Sequence, residues 1–146
     1  MQANLFAGAD ISASGMSAER RRMEVVANNI ANANSTQSAE GGPYRRQELV
    51  FAAALEDHGT AGSVSGMHGV EVIGQRSDQS ELPQIHNPGH PDADPITGMV
   101  SMPNVKMSNE MVDLIVASRS YEANLKALSS FKQMVEQTLR LLRGGA

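Results

Sequence analysis

The sequence predicts an α+β fold in which two long terminal helices form an antiparallel coiled-coil pair and bracket a small β-rich insert. Three observations carry this reading. At each end of the 146-residue chain, seam residues recur in alternating steps of three and four, the period of a helix with one seam. Between the ends the character changes, and residues 41–106 hold all six prolines and nine of the thirteen glycines. Neither terminal seam can be buried by its own helix, so the simplest packing folds the two ends back on each other. The chain thus divides into a helical segment at 1–40, a β-rich outer segment with long loops at 41–106, and a second helical segment at 107–146.

The first helix should run over about residues 4–34. Its seam passes through Leu5, Ala9, Ser12, Met16, Glu19, Met23, Val26, Ile30 and Ala33, with Ser12 and Glu19 as polar interruptions. At a rise of ~1.5 Å per residue it is about 45 Å long, too long for a compact domain of this size. "EGGP" at 40–43 stops it. Short strands are expected at 44–51, 69–75, 82–86 and 98–103, with loops at 56–69 and 87–98. The last helix should span about 108–142, along Met111, Leu114, Ser118, Tyr121, Leu125, Leu128, Lys132, Val135, Leu139 and Leu142. Ser108 suits its N-cap. Glu110 and Asp113 in the first turn and Arg140 and Arg143 in the last complement its dipole, and Gly144-Gly145 ends it. The intrachain seam is therefore assigned to Met16, Met23, Val26 and Ile30 against Leu114, Tyr121, Leu125 and Leu128. An antiparallel register with Leu5 near Leu142 sets Glu19 near Lys126.

Composition narrows the function. Aromatic residues are 3% of the chain, and nine methionines partly replace them. Methionine fills contacts but specifies them loosely, so the core is small or shared with neighbours. The net charge of −4 argues against wholesale nucleic-acid binding. Residues 51–108 hold two basic groups against seven acids, while the ends are close to neutral. Neutral ends can stack without strong repulsion, and the acidic middle stays solvated. No cysteine is present, which excludes disulfides, thiol catalysis and thiolate metal sites. No apolar run is long enough to span a membrane, and the first twenty residues lack a basic-then-apolar signal pattern.

Few residues invite a chemical role. His86, His90, Asp92 and Asp94 in "HNPGHPDAD" (86–94) are metal-ligand types, but no helix face sets their spacing, and the prolines and Asx residues read as a rigid turn-rich loop. "SSFK" (129–132) fits Ser-x-x-Lys without the partner motifs such hydrolases need. Arg20, Arg21 and Arg22 point about 100° apart in succession and form no single patch. "NST" at 34–36 is a sequon without a secretory context. With no phosphate loop and no acid–base pair, no enzyme is expected, and no metal or other cofactor.

The stretch "VVANNIANANS" (25–35) is the most unusual. Asn28, Asn29, Asn32 and Asn34 crowd the end of the first helix, although Asn is a mediocre helix former. Asn28 and Asn32 fall nearly opposite the seam and Asn29 flanks it. Residues 25–39 carry no charge, whereas a surface kept in water more often carries Lys and Glu. These four amides are expected to form a polar face that meets other subunits, since amides both donate and accept.

"MEVVANNIANANS" closely resembles the N-terminal signature of bacterial flagellar rod and hook proteins, A-N-N-[IL]-A-N-x-[NT]-T, with Ser35 in place of the commonest Thr. "GGPYRRQELVF" (41–51), "NPGHPDADPITGMVSMPNV" (87–105) and "EMVDLIVASRSYEANLKAL" (110–128) extend the likeness over most of the chain and point to the proximal rod. The resemblance implies a structural subunit of the flagellar basal body that assembles helically with other axial proteins into the shaft between motor and hook. It implies neither catalysis nor a cofactor. Its implied partners are other copies of the chain, other rod proteins, the flagellar type III export apparatus and the surrounding ring proteins. Its implied location is the periplasmic part of the basal body, reached without signal cleavage.

Overall fold

The computed structural model describes residues 7–39, 41–55 and 67–144. In chain order the elements are α1 (Ala7–Ala31), β1 (Gln47–Leu55), β2 (Met67–Ser77), β3 (Gln84–His86), β4 (Met99–Ser101) and α2 (Met107–Gly144). The α+β class therefore holds, with long helices flanking small sheets. The loop expected at 56–69 falls mostly on residues 56–66, outside those described.

The asparagines help to end α1. Asn32 donates from both its backbone N–H (3.1 Å) and its side-chain Nδ2 (2.9 Å) to the Asn28 carbonyl. Ser35 then donates to the Asn32 carbonyl and, through its hydroxyl, to Asn32 Oδ1. Side-chain amides thus satisfy backbone groups where the helical ladder runs out. At the other helix the expected cap moves. The Lys106 carbonyl accepts from Asn109 and Glu110, and Ser108 lies inside the first turn rather than before it.

β1 pairs with β2, and β3 pairs antiparallel with β4 in the register Gln84 to Ser101, Ile85 to Val100 and His86 to Met99. By contacts the chain forms two compact units, and each helix contributes to both. One is Arg22–Val50 with Gly74–Val116; the other takes the remaining described residues. Among the described residues the buried apolar side chains are Ala18, Val26, Val100 and Ala117, together with Pro103. Burying so little apolar surface leaves polar contacts to fix the geometry.

In the unit that contains Gly15 and Asn124, two small residues set the close approaches. A Cβ at Gly15 would lie 2.8 Å from Asn124 Nδ2, so glycine lets α1 and α2 come together there. Gly69, at φ +116°, lies against Ser14, where any side chain would collide with the hydroxyl. The Ser14 hydroxyl donates to the Ile11 carbonyl and accepts from Val70 N–H, fastening the start of β2 to α1.

Along α2 the less exposed stripe includes Glu110, Leu114, Ala117, Tyr121, Asn124, Leu128, Phe131 and Val135. Leu114, Tyr121 and Leu128, assigned to the seam, are half-buried, whereas Leu125 is 49% exposed and Asn124 beside it is half-buried. On α1, Val26 is buried, Met16, Met23 and Ile30 are half-buried, and Ala18 and Asn29 are buried with Val26. The reason is size. Glycine, alanine and asparagine permit closer backbone approach than methionine or leucine, so the stripe turns toward the small residues.

Candidate functional site

The end of α1, the start of β1 and the first turn of α2 meet in one polar cluster. Asn29 Nδ2 donates to the Gln47 carbonyl and to Glu110 Oε2, each at 2.9 Å. Its Oδ1 accepts from Gln47 N–H and from the Tyr44 hydroxyl, also at 2.9 Å. Two donors and two acceptor positions are the whole capacity of a carboxamide, and all are used. By bonding both the N–H and the C=O of Gln47, the side chain acts as a backbone amide of an adjacent strand would.

Glu110 is fully buried, which demands compensation for its charge. Asn29 covers one oxygen, and Arg46 Nε donates to the other at 2.5 Å. The Arg46 guanidinium also reaches Glu48 and Asp113, while its backbone N–H donates to Asn104 Oδ1 and its carbonyl accepts from Asp78 N–H. Burial opposes the Arg46 charge. The hydrogen bond and charge of Glu110, with Glu48 and Asp113, outweigh that and raise its pKa. Glu48 is shared with Arg76 at 3.1 Å.

The four asparagines therefore do not form one face. Asn29, expected to meet other subunits, is buried inside its own chain; one residue of helical rotation separates it from exposed Asn28. Asn28 and Asn34 are exposed and Asn32 is half-buried. Asn28 and Asn32 line a groove of about 820 Å³ with Gln37, Gln47, Gln75 and Gln79, so the exposed amides sit in a wider polar setting than the helix alone provides.

The 87–98 loop is a set of turns. Asp92 accepts from the Thr36 hydroxyl (2.7 Å) and Gln37 Nε2 (3.0 Å), tying the loop to the segment after α1. His90 Nδ1 accepts from Asp92 N–H. Asp94 Oδ1 accepts from Ile96 and Thr97 N–H, and these bonds, Ile96 first, hold its carboxyl below the usual range. Among the described residues no three His, Asp or Glu side chains converge as metal ligands. Ser129 and Lys132 are both exposed on α2.

Sequence reasoning missed Tyr44, Arg46, Gln47 and Glu110 as one site. The signal was slight: Glu110 reads as an ordinary first-turn acid, and Tyr44 and Arg46 are separated from it by more than sixty positions.

Two family models match segments that carry part of this cluster. The model for "Flagella basal body rod protein" matches residues 10–38, which contain Asn29. The model for "Flagellar basal body rod FlgEFG protein C-terminal" matches residues 96–141, which contain Glu110. Fold and matches together define a flagellar basal-body rod protein. The chain is 37% identical to flagellar basal-body rod protein FlgC of Borreliella burgdorferi, covering 96% of this chain and 99% of that one. It is 39% identical to FlgC of Salmonella typhimurium (94% and 96%) and 43% identical to FlgC of Aquifex aeolicus (92% and 95%). The chain belongs to the FlgC family, and it is a structural subunit of the basal-body rod rather than an enzyme.

Proposed function

We propose that this subunit is a repeating element of the proximal rod's helical stack, with α1 and α2 paired antiparallel and their outward faces meeting neighbouring subunits. One observation carries the reading most strongly. Ten large apolar side chains of α2, among them Met111, Ile115, Leu125, Met134 and Leu142, are more than a third exposed. A surface with that many apolar groups calls for partners. The antiparallel pairing is supported by two separate contacts. Gly15 approaches Asn124, and fourteen residues further along α1, Asn29 bonds Glu110, fourteen residues back along α2. Fourteen residues are two heptads, and this register sets Glu19 opposite Ser120 rather than near Lys126.

The partners in this reading are further copies of the chain, other rod proteins, the ring proteins around the rod and, before assembly, the type III export apparatus. Asn28, Asn32 and Asn34 contribute uncharged donors and acceptors to the subunit contacts. Among the described residues no helix is long and apolar enough to cross a membrane; in this reading the subunit lies in the periplasmic part of the basal body and is exported without cleavage. Imaging of intact basal bodies tests the proposal. Density for this chain in helically related positions around the rod axis, with both helices toward the axis, is the expected result. A peripheral, non-helical position would refute it. Mass spectrometry of the assembled subunit should find the N-terminal segment retained.

A further inference from the structure

The last turns of α2 leave large apolar side chains uncovered. Leu139, Leu141 and Leu142 are 55%, 78% and 73% exposed, and Arg140 and Arg143 among them are exposed as well. Residues 137–144 carry these two arginines and no acid. Among the described residues neither guanidinium is paired; Glu136, one turn before Arg140, is set against Lys132 at 4.0 Å instead. A helix end that is both apolar and basic calls for a partner that is apolar and acidic.

Within the same compact unit, the corner where β2 meets the start of α1 has that character. Gly69 lies against Ile11, and the Ser14 hydroxyl accepts from Val70 N–H at 3.1 Å. Ile11 and Val70 are brought together there and stay 43% and 41% exposed. Asp10 adjoins the one and Glu71 the other, both exposed, and among the described residues neither carboxylate is paired. Residues 7–18 and 69–75 hold these two acids and no Lys or Arg. Lys132 shares a groove with Ala9, and Ala9 is about 200° round α1 from Ile11, so that base belongs to another side of the helix. Other exposed apolar side chains fit less well. Arg119 follows Ile115 by one turn on the same face of α2. The strand of Ile85 borders a hollow lined by Arg45 and Lys106. Beside Ile96, Asp92 and Asp94 already accept hydrogen bonds.

We infer that the Leu139–Leu142 end of α2 in one copy docks on the Ile11–Val70 corner of another copy, with Arg140 and Arg143 against Asp10 and Glu71. The inference rests on the reading that copies of this chain assemble with one another, and it names the two surfaces that meet. The contact does not close within one chain. In the register that sets Gly15 by Asn124, Ile11 is level with Leu128, and Leu142 lies fourteen residues further, about 21 Å along α2. The two surfaces are different patches, so the contact is heterologous, and its repetition builds a ring or an open helix rather than a closed dimer.

Charge reversal tests the contact. Three strains carry, as their only copy, Arg140→Glu with Arg143→Glu, Asp10→Lys with Glu71→Lys, or all four changes together, and the subunit in purified basal bodies is quantified. Each two-residue reversal should lower incorporation by at least about tenfold, because like charges then face each other, and the four-residue reversal should return it to within about threefold of the unsubstituted chain. Normal incorporation of either two-residue variant, or no recovery with all four changes, overturns the inference. In parallel, Val70→Cys with Leu142→Cys is introduced into this cysteine-free chain, and basal bodies are oxidised with diamide. Dimers and a ladder of higher species are expected from the double variant and only monomer from each single one. Cross-linking within one chain, only to a different protein, or not at all in basal bodies that contain the variant overturns the inference. Where the cysteine variant is not incorporated, the charge series decides alone. All these failures leave rod membership intact; absence of the unsubstituted chain from basal bodies would instead strike the reading beneath.

Discussion

Asn29 donates to Glu110 across 81 positions of sequence, and neither side chain exposes any surface. The bond joins residues from the two segments that the rod-family models match, one in each. Asn29→Ala should leave the Gln47 backbone and the Tyr44 hydroxyl without their partner and strip one oxygen of Glu110, at ~1–3 kcal/mol for each group left unpaired. Asn29→Asp should be worse, because it sets a second carboxylate against a buried one. Urea denaturation of the purified chain checks the order. A midpoint for Asn29→Asp equal to that of the unsubstituted protein would show that the cluster does not form in solution.

Arg46 reaches three carboxylates with three different nitrogens, a geometry that the point charge of lysine cannot copy. Arg46→Ala should destabilise the fold by ~3–5 kcal/mol, since it leaves the Glu110 charge buried without its cation. Arg46→Lys should recover only part of that. A double-mutant cycle of Arg46→Ala with Glu110→Gln is expected to give a coupling well above experimental error, whereas additive losses would place the value of Arg46 in its exposed pairs.

The Asp94 turn has a predictable response to acid. Its carboxyl is held below the ordinary value by the Ile96 and Thr97 amides, so folding favours the ionised form. A depressed native pKa adds stability that is fully present above the unfolded value, ~3.9, and is lost as pH falls through the native one. The Ile96 and Thr97 amide resonances should therefore stay in place down to about pH 4 and move together below it. Asp94→Ala should free them at neutral pH. Movement centred above pH 5 in the unsubstituted protein would contradict the hydrogen-bonded turn.

Exposed Asn28 and half-buried Asn32 allow the subunit-contact role to be separated from folding. Asn28→Ala with Asn32→Ala should leave the chain exported and α1 intact, since alanine is the better helix former, with a small loss from the Asn32 bond to the Asn28 carbonyl. Incorporation into basal bodies should fall. Normal motility and normal rods in that double variant would reduce the two amides to a helix-ending device.

Much of the fold was legible because periodicity and breakers are local signals. The heptad steps located both helices, but α1 stops at Ala31, well before "EGGP" at 40–43, because the asparagines end it first. The cluster around Asn29 was legible only as an anomaly. An uncharged, amide-rich helix end signals buried hydrogen bonding, but four asparagines look alike in sequence. Only the rotation of α1 decides that Asn29 turns inward while Asn28 turns out. The seam was read from large apolar residues, and the close contacts use Gly15, Asn124, Asn29 and Glu110 instead. Small and polar residues give no hydrophobic period, so sequence alone favoured Leu125 over its neighbour.

The Arg46 fork also has a mechanical meaning. Apolar surfaces can slide over one another at nearly constant energy, because the attraction between them has no preferred direction. Hydrogen bonds weaken steeply once bent from line, and a planar group held at Nε, NH1 and NH2 resists rotation as well as stretching. Where the lead into β1 joins the first turn of α2, this subunit therefore has a joint that is stiff in shear. In a rod that carries rotation, twisting load would be borne at such joints, and the apolar contacts between subunits would be left to accommodate bending.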